Sequence, residues 1–551
     1  MFEDASAPDD AGWVVPVEPL ELPAEPPVVL SGAVLSGAVL ALRAAVRVLA
    51  EVDLSALSGP AVLAQTAAVL VEAQRLQAVG LAHLAEVDGR ALHHLDGAPS
   101  TARWADRHGL ETARGAVAVA RRLPYVYGAR VVLLVGSGNN GADALWAGAW
   151  LARRGCAVVA VLAGDAVPDA LAALLAAGGR TGTPRALDGA DVVVDGLVGI
   201  GGRGPLRPAA AALVGAIDGC PVVAVDVPSG VDADTGAVGA VAVRADVTVT
   251  FGTLKPGLLL ARDHVGELEL VEVGLELPAP PVEALTDLDV QSLLPRTSRV
   301  SDKYSRGVLG VAAGSESYTG AAVLAVGAAL RAGAGMVRFV GASHAADQVR
   351  LRWPEAVVTD ACGSSVVDVG RVQAWVVGPG LGTHADEAVE AVLAQDVPVL
   401  VDADALTICA QRPSWLRDRT AATLLTPHDR EFARFGHEVG DDRVAAARRL
   451  AATLGLHVLL KGDATVVVGP DGPARINLTG SPVLATAGSG DVLSGGIGAL
   501  LAQGLDVLDA ASVGAYLHGL AGVLSADGAA TSAGLLLEAW PAAVRAVGAR
   551  H

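Results

Sequence analysis

Short apolar runs that end in turns of glycine and polar residues recur through most of the chain, and they limit the folds it can adopt. Residues 131–135 (VVLLV), 191–195 (DVVVD) and 221–226 (PVVAVD) are the first three. Continuous apolar runs of this length are typical of strands that are buried on both faces of a parallel sheet. Ligands bind beyond the carboxyl ends of such strands, so the polar residues after each run are the first candidates for functional sites.

Composition supports an α/β chain and excludes some function classes. The length of 551 residues suggests about three to four domains. Small aliphatic residues dominate and aromatic residues make up 3% of the chain, which suits packed α/β layers better than β-sandwiches. The net charge of −19 argues against a nucleic-acid groove built on an overall basic field, although a local basic patch stays open.

Cysteine usage and the N-terminus indicate the compartment. The four cysteines lie far apart and form no Cys-x-x-Cys pair, which fits a reducing cytosol and argues against a thiolate zinc site or disulfides. The acidic N-terminus is unlike a signal peptide. The weakly polar run 28–42 is interrupted by two Ser-Gly pairs and is too short to span a membrane comfortably. We therefore expect a soluble, cytoplasmic protein without membrane or nucleic-acid partners.

The N-terminal part of the chain divides into a tail and a helical region. Residues 1–30 are rich in proline and acidic residues, which predicts a disordered tail. Residues 31–122 have helical periodicity, which predicts a bundle of unknown role. Residues 85–90 and 96–109 resemble the helical domain that often precedes HNH-type nucleases. No His-Asn-His cluster follows, so we infer no nuclease activity.

Residues 123–277 predict a first α/β domain with polar residues at several strand ends. The turn after the first run reads GSGNNGAD, a Rossmann-type start that carries Asn139, Asn140 and Asp143. The next two runs end in Asp195 and Asp226, which should converge on one crevice. A single carboxylate at a strand end is often a helix cap. Two carboxylates beside an asparagine pair favour either a hard-oxygen cation site or an acid/base site.

These motifs, in this order, resemble the NAD(P)H-hydrate epimerase family over residues 126–275. The resemblance implies substrate contacts by Asn139, Asn140, Gly141, Ala142, Asp143, Gly199, Ile200, Gly201, Gly202, Arg203, Gly204, Pro205 and Asp226. It also implies a potassium ion held by oxygens of Asn140, Asp195 and Ser229. We assign the acid/base role to Asp195, because epimerisation at a hydroxylated ring carbon needs proton transfers.

The first domain departs from the family pattern at its start. The family usually has Gly-Gly-Asp-Gly where this chain has Gly141-Ala-Asp-Ala144, so Ala142 would be strained if its backbone needed a positive φ. The opening helices of the family are not recognisable before Tyr125, which predicts an altered wall of the pocket. Lys255, after the last apolar run, is either a surface charge or a ligand contact.

A proline-rich stretch, 278–297, predicts a linker to a second α/β domain at 298–551. The loop ATAGSGD at 485–491 leads into an apolar helix. Its amides offer either a phosphate site or a structural helix start, with Asp491 as a base beside them. Asp402 and Asp404 are interpreted as caps or supporting residues outside the site, and His518 as a core residue.

The second domain resembles the ribokinase-like superfamily and, within it, the ADP/ATP-dependent NAD(P)H-hydrate dehydratases. The motifs GPGLG, DADAL, TPHDREF, LKGDATV and GSGDVL occur in order. The resemblance implies substrate contacts by Ala321, Gly382, His428 and Asp491. It implies binding of ADP or ATP, with Mg²⁺, by Lys461, Gly462, Asp463, Ala464, Thr465 and Gly490. Asp491 is then the base that takes the proton of the ring hydroxyl during phosphoryl transfer.

The predicted fold is thus two consecutive parallel-sheet three-layer domains, Rossmann-like and then ribokinase-like, after a helical N-terminal segment. The predicted function is repair of hydrated NADH and NADPH (NADHX and NADPHX): nucleotide-dependent dehydration of the S hydrate by the second domain, and epimerisation of the R and S hydrates by the first. The alternative is a ribokinase-like small-molecule kinase fused to a non-catalytic nucleotide-binding domain. We also expect a homo-oligomer.

Overall fold

The computed structural model describes residues 126–271, 273, 277–295 and 303–549. The predicted tail 1–30 and helical region 31–122 lie outside the described residues. Strands of the first domain are β1 (Arg130–Val135), β2 (Ala157–Leu162), β3 (Arg180–Gly182), β4 (Val192–Gly196), β5 (Val222–Val225), β6 (Val247–Phe251) and β7 (Glu267–Val271). Its helices are α1 (Asn139–Arg153), α2 (Pro168–Ala176), α3 (Pro208–Val214), α4 (Pro256–Leu260) and α5 (Arg262–Val265).

The first sheet is parallel throughout, with the strand order β3-β2-β1-β4-β5-β6-β7. Alternate residues of β1 pack into different cores. Val131 and Leu133 pack with α1 and α2, whereas Val132 and Leu134 pack with α3 on the opposite face. The order reverses between β1 and β4, and a crevice opens at such a reversal, beyond the strand ends. The predicted three-layer Rossmann-like fold is confirmed.

The second domain has ten strands and eleven helices among the described residues. The strands are β8 (Val282–Glu283), β9 (Val308–Ala312), β10 (Met336–Gly341), β11 (Val357–Asp360), β12 (Ala374–Val377), β13 (Val399–Val401), β14 (Thr423–Leu425), β15 (His457–Leu460), β16 (Val466–Val468) and β17 (Ala474–Ile476). The helices are α6 (Asp287–Leu293), α7 (Thr319–Arg331), α8 (Ser343–Arg352), α9 (Asp386–Leu393), α10 (Ala403–Gln411), α11 (Ser414–Arg417), α12 (Asp429–Ala433), α13 (Arg443–Leu454), α14 (Ser489–Ala502), α15 (Val507–Ala526) and α16 (Ala533–Ala549).

The second sheet is mixed, with the order β11-β10-β9-β12-β13-β14-β15-β16-β17-β8. Strands β9 to β15 are parallel, whereas β16 is antiparallel to both of its neighbours. Val376 of β12 packs toward α7, α14, α15 and α16, and Trp375 and Val377 pack toward α9, α10 and α13. The predicted three-layer fold is confirmed, and the hairpin strands after β15 make the sheet mixed rather than purely parallel.

Part of the stretch predicted as a linker is built into the second domain. Strand β8 pairs with β17 at the edge of the sheet. Helix α6 begins with a capping box between Thr286 and Asp289, and the Tyr516 hydroxyl donates to Asp287 at 2.6 Å. The prolines at 278–281 lie before this strand. Irregular structure is therefore confined to the start of the predicted linker, and the rest of it forms β8 and α6.

Helix α14, which carries Asp491 in its first turn, is held close to its neighbours by glycines. A Cβ on Gly495 would lie 2.1 Å from the carbonyl oxygen of Ala325 in α7, and a Cβ on Gly496 would lie 2.2 Å from the ring of Trp540. Glycine is required at both positions because only it allows such close approach. The start of α14 is therefore fixed against α7 and α16.

Helix α15 is long and apolar enough to cross a membrane by length and composition alone. However, 78% of its apolar window is buried inside the domain. It contacts α14 and α16, so it serves as a core helix here.

Candidate functional sites

The carboxyl ends of β1, β4 and β5 open into a cavity of about 1140 Å³. The predicted substrate residues that line it include Asn139, Asn140, Asp143 and Asp226, together with the loop 199–205. Gly141 and Ala142 are buried in α1 instead. The second domain also contributes, because Asp441 lies on the cavity wall. The cavity is large enough to enclose a small-molecule ligand.

Asp195, the predicted acid/base, is fully buried and is not a lining residue of that cavity. It accepts hydrogen bonds from the Ser229 N–H (2.8 Å), the Ser229 hydroxyl (2.7 Å) and the Leu197 N–H (3.2 Å). Burial raises the pKa of Asp195, and these hydrogen bonds oppose the rise. Three accepted bonds occupy most of the capacity of a carboxylate. The geometry therefore favours Asp195 as an anchor of the site over the proton-transfer role that the sequence assigned to it.

The surroundings of Asp195 fit a hard cation. Within the described residues its charge is opposed by hydrogen bonds and not by an ion pair. The buried side-chain nitrogen of Asn140 has no hydrogen-bond partner among the same residues. Gly199 abuts that amide, since a Cβ there would lie 3.2 Å from Asn140 Oδ1. The oxygens of Asp195, Ser229 and Asn140 are hard ligands of the kind that a monovalent cation takes, whereas the unpaired Asn140 nitrogen is a hydrogen-bond donor and supplies no ligand.

Asp226 and Lys255 form an ion pair on the cavity wall. Lys255 Nζ lies 2.7 Å from Asp226 Oδ1 and also donates to the Thr250 hydroxyl and the Phe251 carbonyl. Asp226 has a φ of +67°, a conformation that costs a non-glycine residue about 1 kcal/mol or more. Such strain often occurs at functional sites. Lys255, which the sequence left open, is therefore a cavity residue.

The alanines of the altered Asn-Asn-Gly-Ala-Asp-Ala segment are accommodated without strain. Ala142 and Ala144 lie in helix α1 and are fully buried. Ala142 is not among the described residues with positive φ. The close approach is made instead at Gly141, where a Cβ would lie 2.1 Å from the Gly136 carbonyl oxygen.

The second site is at the start of α14. Gly488 caps the helix with a φ of +86°, and Asp491 lies in the first turn. Burial raises the pKa of Asp491 to about 7, with a further rise from Asp402 and Asp404 that Lys461 opposes. A carboxylate with this pKa can both take and release a proton near neutral pH.

Lys461 connects this carboxylate to a buried acidic network. Its Nζ lies 2.8 Å from Asp402 and 3.5 Å from Glu431, and Asp402 also accepts a 2.6 Å bond from the Ser494 hydroxyl. Burial would lower the pKa of Lys461, but Asp402 and Glu431 raise it on balance. Burial would raise the pKa of Asp402, but Lys461 lowers it on balance. Lys461 is therefore held as an ammonium, and it points toward Gly490, whose Cβ position is 3.6 Å away.

The sequence predicts Asp402 to be a cap or supporting residue, and the structure agrees with both parts of that prediction. Asp402 is the N-cap residue of α10, but its side chain makes no capping bond and is instead the main counter-charge of Lys461. The next residue, Ala403, has a φ of +50°. A signal was present in the sequence, because an Asp directly after a buried strand and a Lys after another reach the same sheet edge.

His428 begins α12 as its N-cap. Its Nδ1 accepts from the N–H groups of Arg430 and Glu431, at 3.1 and 3.3 Å, which leaves the proton on Nε2. Glu431 returns a bond by accepting from the His428 N–H at 2.9 Å. The ring is about half exposed, and its Nε2 lies 3.5 Å from Glu431 Oε1.

Two further predicted substrate residues, Ala321 in the first turn of α7 and Gly382 in the loop after β12, lie close together. The Gly382 N–H donates to Asp404 at 2.9 Å, so Asp404 orders the glycine turn after β12. Ala321 contacts the same turn, since a Cβ on Gly380 would lie 2.9 Å from that of Ala321. The structure thus joins both residues to one loop.

The predicted nucleotide loop 461–465 is ordered from several sides. The Thr465 hydroxyl donates to the Gly462 carbonyl at 3.0 Å, and the Thr465 carbonyl accepts from the Asn477 N–H at 2.9 Å. Arg443 donates to the Lys461 carbonyl and pairs with Asp429. Within the loop, the side chain of Ala464 is buried.

His518, predicted as a core residue, is buried under the second site. Its Nε2 lies 2.9 Å from the Ser489 carbonyl oxygen. Burial lowers the pKa of His518 to about 4, so the ring is neutral and donates from Nε2. This bond fixes the first turn of α14.

Two family descriptions match the two domains. Residues 309–540 match the family described as NAD(P)H-hydrate dehydratase, and residues 110–257 match the family described as YjeF-related protein N-terminus. The second match begins upstream of Tyr125, within the part where the sequence alone gave no recognisable start.

Several curated relatives carry the name bifunctional NAD(P)H-hydrate repair enzyme Nnr. One from Mycobacterium leprae is 49% identical over 418 residues, with coverage of 74% of this chain and 86% of the relative. One from Mycobacterium tuberculosis is 51% identical over 399 residues, with coverage of 70% and 81%. A solved ADP/ATP-dependent NAD(P)H-hydrate dehydratase from Bacillus subtilis is 30% identical, covers 49% of this chain and 100% of that chain, and has a TM-score of 0.43.

The resemblances of the two α/β domains are therefore confirmed, whereas the resemblance of residues 85–90 and 96–109 stays a prediction. Identity of about one half extends over more than four-fifths of the mycobacterial relatives and includes both α/β domains. The chain belongs to the family of bifunctional NAD(P)H-hydrate repair enzymes.

Proposed function

We propose that the two sites divide the repair of hydrated NADH and NADPH between them, with dehydration of the S hydrate at Asp491 and interconversion of the R and S hydrates in the first-domain cavity. The observation that carries the proposal is the position of Asp491. It combines a pKa raised to about 7 by burial with a helix N-terminus and the partly buried ammonium of Lys461. These are the parts that phosphoryl transfer to a hydroxyl needs.

In the dehydratase, Asp491 takes the proton of the ring hydroxyl while that oxygen bonds to the terminal phosphorus of ADP or ATP. The phosphoanhydride bond breaks, and the Lys461 ammonium and the N–H groups at the start of α14 stabilise the charge on the phosphoryl oxygens. The C–O bond then breaks, phosphate leaves, and loss of a proton from the adjacent carbon restores the ring double bond. Mg²⁺ bound with the nucleotide would neutralise part of its phosphate charge.

In the epimerase, the proton-transfer role suits Asp226 and Lys255 better than Asp195. Both side chains line the cavity, and their 2.7 Å contact gives a base and an acid side by side. Potassium would be held by oxygens of Asn140, Asp195 and Ser229, where it would supply the positive charge that the buried Asp195 lacks. Residues 139–143 and 199–205, with Asp226, remain the proposed substrate contacts.

The test uses each hydrate epimer separately, with ADP or ATP, and follows recovery of nicotinamide absorbance together with released phosphate. Both epimers should be converted, with one phosphate released per nicotinamide restored. A net phosphorylated product without phosphate release would instead indicate a small-molecule kinase. Conversion of the S epimer alone would contradict the epimerase half.

The cellular setting is also proposed. The free cysteines of the described residues, Cys156, Cys220, Cys362 and Cys409, support a reducing, cytoplasmic location.

The assembly is proposed to be a homo-oligomer. Light scattering on the purified chain measures its mass, and the mass of a monomer would overturn this proposal.

A further inference from the structure

Arg262, on the short helix α5 of the first domain, reaches into the second domain. One terminal nitrogen donates to the Gly480 carbonyl at 2.9 Å and the other donates to the Asn477 carbonyl at 3.2 Å. Neighbouring Leu259 is buried in a core cluster of the second domain. The guanidinium is therefore held at a packed contact between the two domains, where its two donors match two carbonyl acceptors.

The two carbonyls belong to the segment that supports the proposed nucleotide loop. Gly480 packs on the backbone of Asp463 so tightly that a Cβ would lie 1.8 Å from the Asp463 carbonyl oxygen. Three residues earlier, the Asn477 N–H donates to the Thr465 carbonyl at 2.9 Å. Arg262 thus binds the 477–480 segment at the two residues that contact the loop.

We propose that Arg262 is a positioning residue for nucleotide binding in the dehydratase domain, supplied by the epimerase domain. It acts through Asn477 and Gly480 on residues 463–465 and touches no reacting atom. The inference rests on the proposed function of the 461–465 loop. The covalent fusion of the two domains then matters for nucleotide binding, because a side chain of the first domain supports the nucleotide loop of the second.

The geometry requires arginine. The planar guanidinium presents two nitrogens at a fixed spacing, whereas a lysine ammonium is one point charge and cannot hold two separate carbonyls in the same way. Helix α5 is itself fixed, because the Thr248 hydroxyl donates to the Val265 carbonyl at 2.7 Å. The position of the guanidinium is therefore set by the first domain.

The test compares Arg262→Ala and Arg262→Lys with the unaltered full chain in steady-state dehydration of the S hydrate. We expect the KM for ADP or ATP to rise about tenfold in Arg262→Ala and less in Arg262→Lys, with kcat changed by less than about twofold. Epimerisation should be unchanged. Arg185→Ala is the matched control, because Arg185 is an exposed arginine of the first domain and lies outside α5.

A variant at the other end of the contact keeps the test decisive if Arg262→Ala folds poorly. Gly480→Ala must push away the Asp463 carbonyl, so it should raise the nucleotide KM in the same direction while leaving Arg262 intact. Thermal unfolding with and without ADP separates a general loss of stability from loss of the nucleotide-induced shift. A smaller ADP-induced shift in both variants supports the proposal.

Lys461→Ala distinguishes failure of this inference from failure of the proposed function. If Lys461→Ala leaves the nucleotide KM unchanged, the proposed nucleotide loop itself is wrong. If Lys461→Ala raises that KM while Arg262→Ala and Gly480→Ala do not, the positioning role of Arg262 is overturned and the loop assignment stands.

Discussion

Asp195 is fully buried and Asp491 is partly buried, and burial raises the pKa of both carboxyl groups, yet their surroundings differ in kind. Asp195 is enclosed by three hydrogen bonds from its own domain and is not on the cavity wall. Asp491 lies at a helix N-terminus, near the ammonium of Lys461 and the carboxylate of Asp402. A carboxylate whose lone pairs are occupied holds a site together, whereas one beside balanced charges can exchange protons.

Each site also has a non-glycine residue with a positive φ, but at a different place relative to its functional groups. Of the three described non-glycine residues with positive φ, Asp226 lies in the first site and Ala403 follows Asp402 in the second. In the first site the strained residue is itself the proposed proton-transfer group. In the second site it is Ala403, the residue directly after Asp402. Both sites thus contain a costly backbone conformation at a strand end.

The largest effect is expected for Asp491→Asn. Dehydration of the S hydrate should fall about a thousandfold, because the base is removed while shape is kept. The ADP-induced shift in thermal unfolding should remain nearly intact. Epimerisation is the internal control and should not change. Full dehydratase activity in this variant would remove Asp491 from the mechanism.

The next largest effects distinguish the roles of Asp226 and Asp195 in the first site. Asp226→Asn should reduce epimerisation about a hundredfold, with dehydration of the S hydrate unchanged. Asp195→Asn should instead lower the free energy of unfolding by roughly 2 kcal/mol. The asparagine side-chain nitrogen cannot accept a hydrogen bond, so at least one buried donor at Ser229 or Leu197 loses its acceptor. Chemical denaturation and epimer exchange are measured on both variants. Normal epimerisation by Asp226→Asn would return the proton-transfer role to Asp195.

A pH profile tests the charge network of the second site. Asp491 must be ionised to act, so kcat for dehydration should rise with pH through about 7, the pKa to which burial raises this group. In Asp402→Asn this rise of kcat should occur at lower pH, because the variant lacks a neighbouring carboxylate that raises the pKa of Asp491. The same variant should raise the nucleotide KM about tenfold, as Lys461 loses its main partner. A rise of kcat at an unchanged pH would contradict the network.

The linked effect of pH on stability has a defined sign. Because the pKa of Asp491 is raised in the folded state, its protonated form stabilises the fold at low pH. That contribution is lost as pH rises from about 4 toward 7. Relative to the unaltered chain, Asp491→Asn should therefore gain stability over this window, measured by urea denaturation at several pH values.

The smallest effect is expected at Ala403. Ala403→Gly relieves the positive φ but adds freedom to the unfolded chain, so stability should change by less than about 1 kcal/mol. Dehydratase activity should be retained because Asp402 is unchanged. A matched Ala405→Gly, at a buried helical position of α10, should be destabilising. Equal losses at both positions would show that the conformation of Ala403 carries no strain.

Much of the fold followed from the sequence because apolar runs and glycine turns are local signals. The runs at 131–135 and 191–195 and the helix after 488 lie where predicted. The strand and helix within 278–297 were missed, because β8 is two residues long and forms only by pairing with β17. Lys255, Asp402 and Asp441 gained their roles from contacts between distant segments, which no local pattern encodes.

The division of labour between Asp226 and Asp491 within one chain is tested most directly by complementation between variants. With ADP and the R hydrate, Asp491→Asn alone and Asp226→Asn alone should each restore little nicotinamide absorbance. A mixture of the two variants should restore it, because the first supplies the S hydrate that the second dehydrates. A mixture as inactive as its components, with each variant folded, would contradict the division of labour between Asp226 and Asp491.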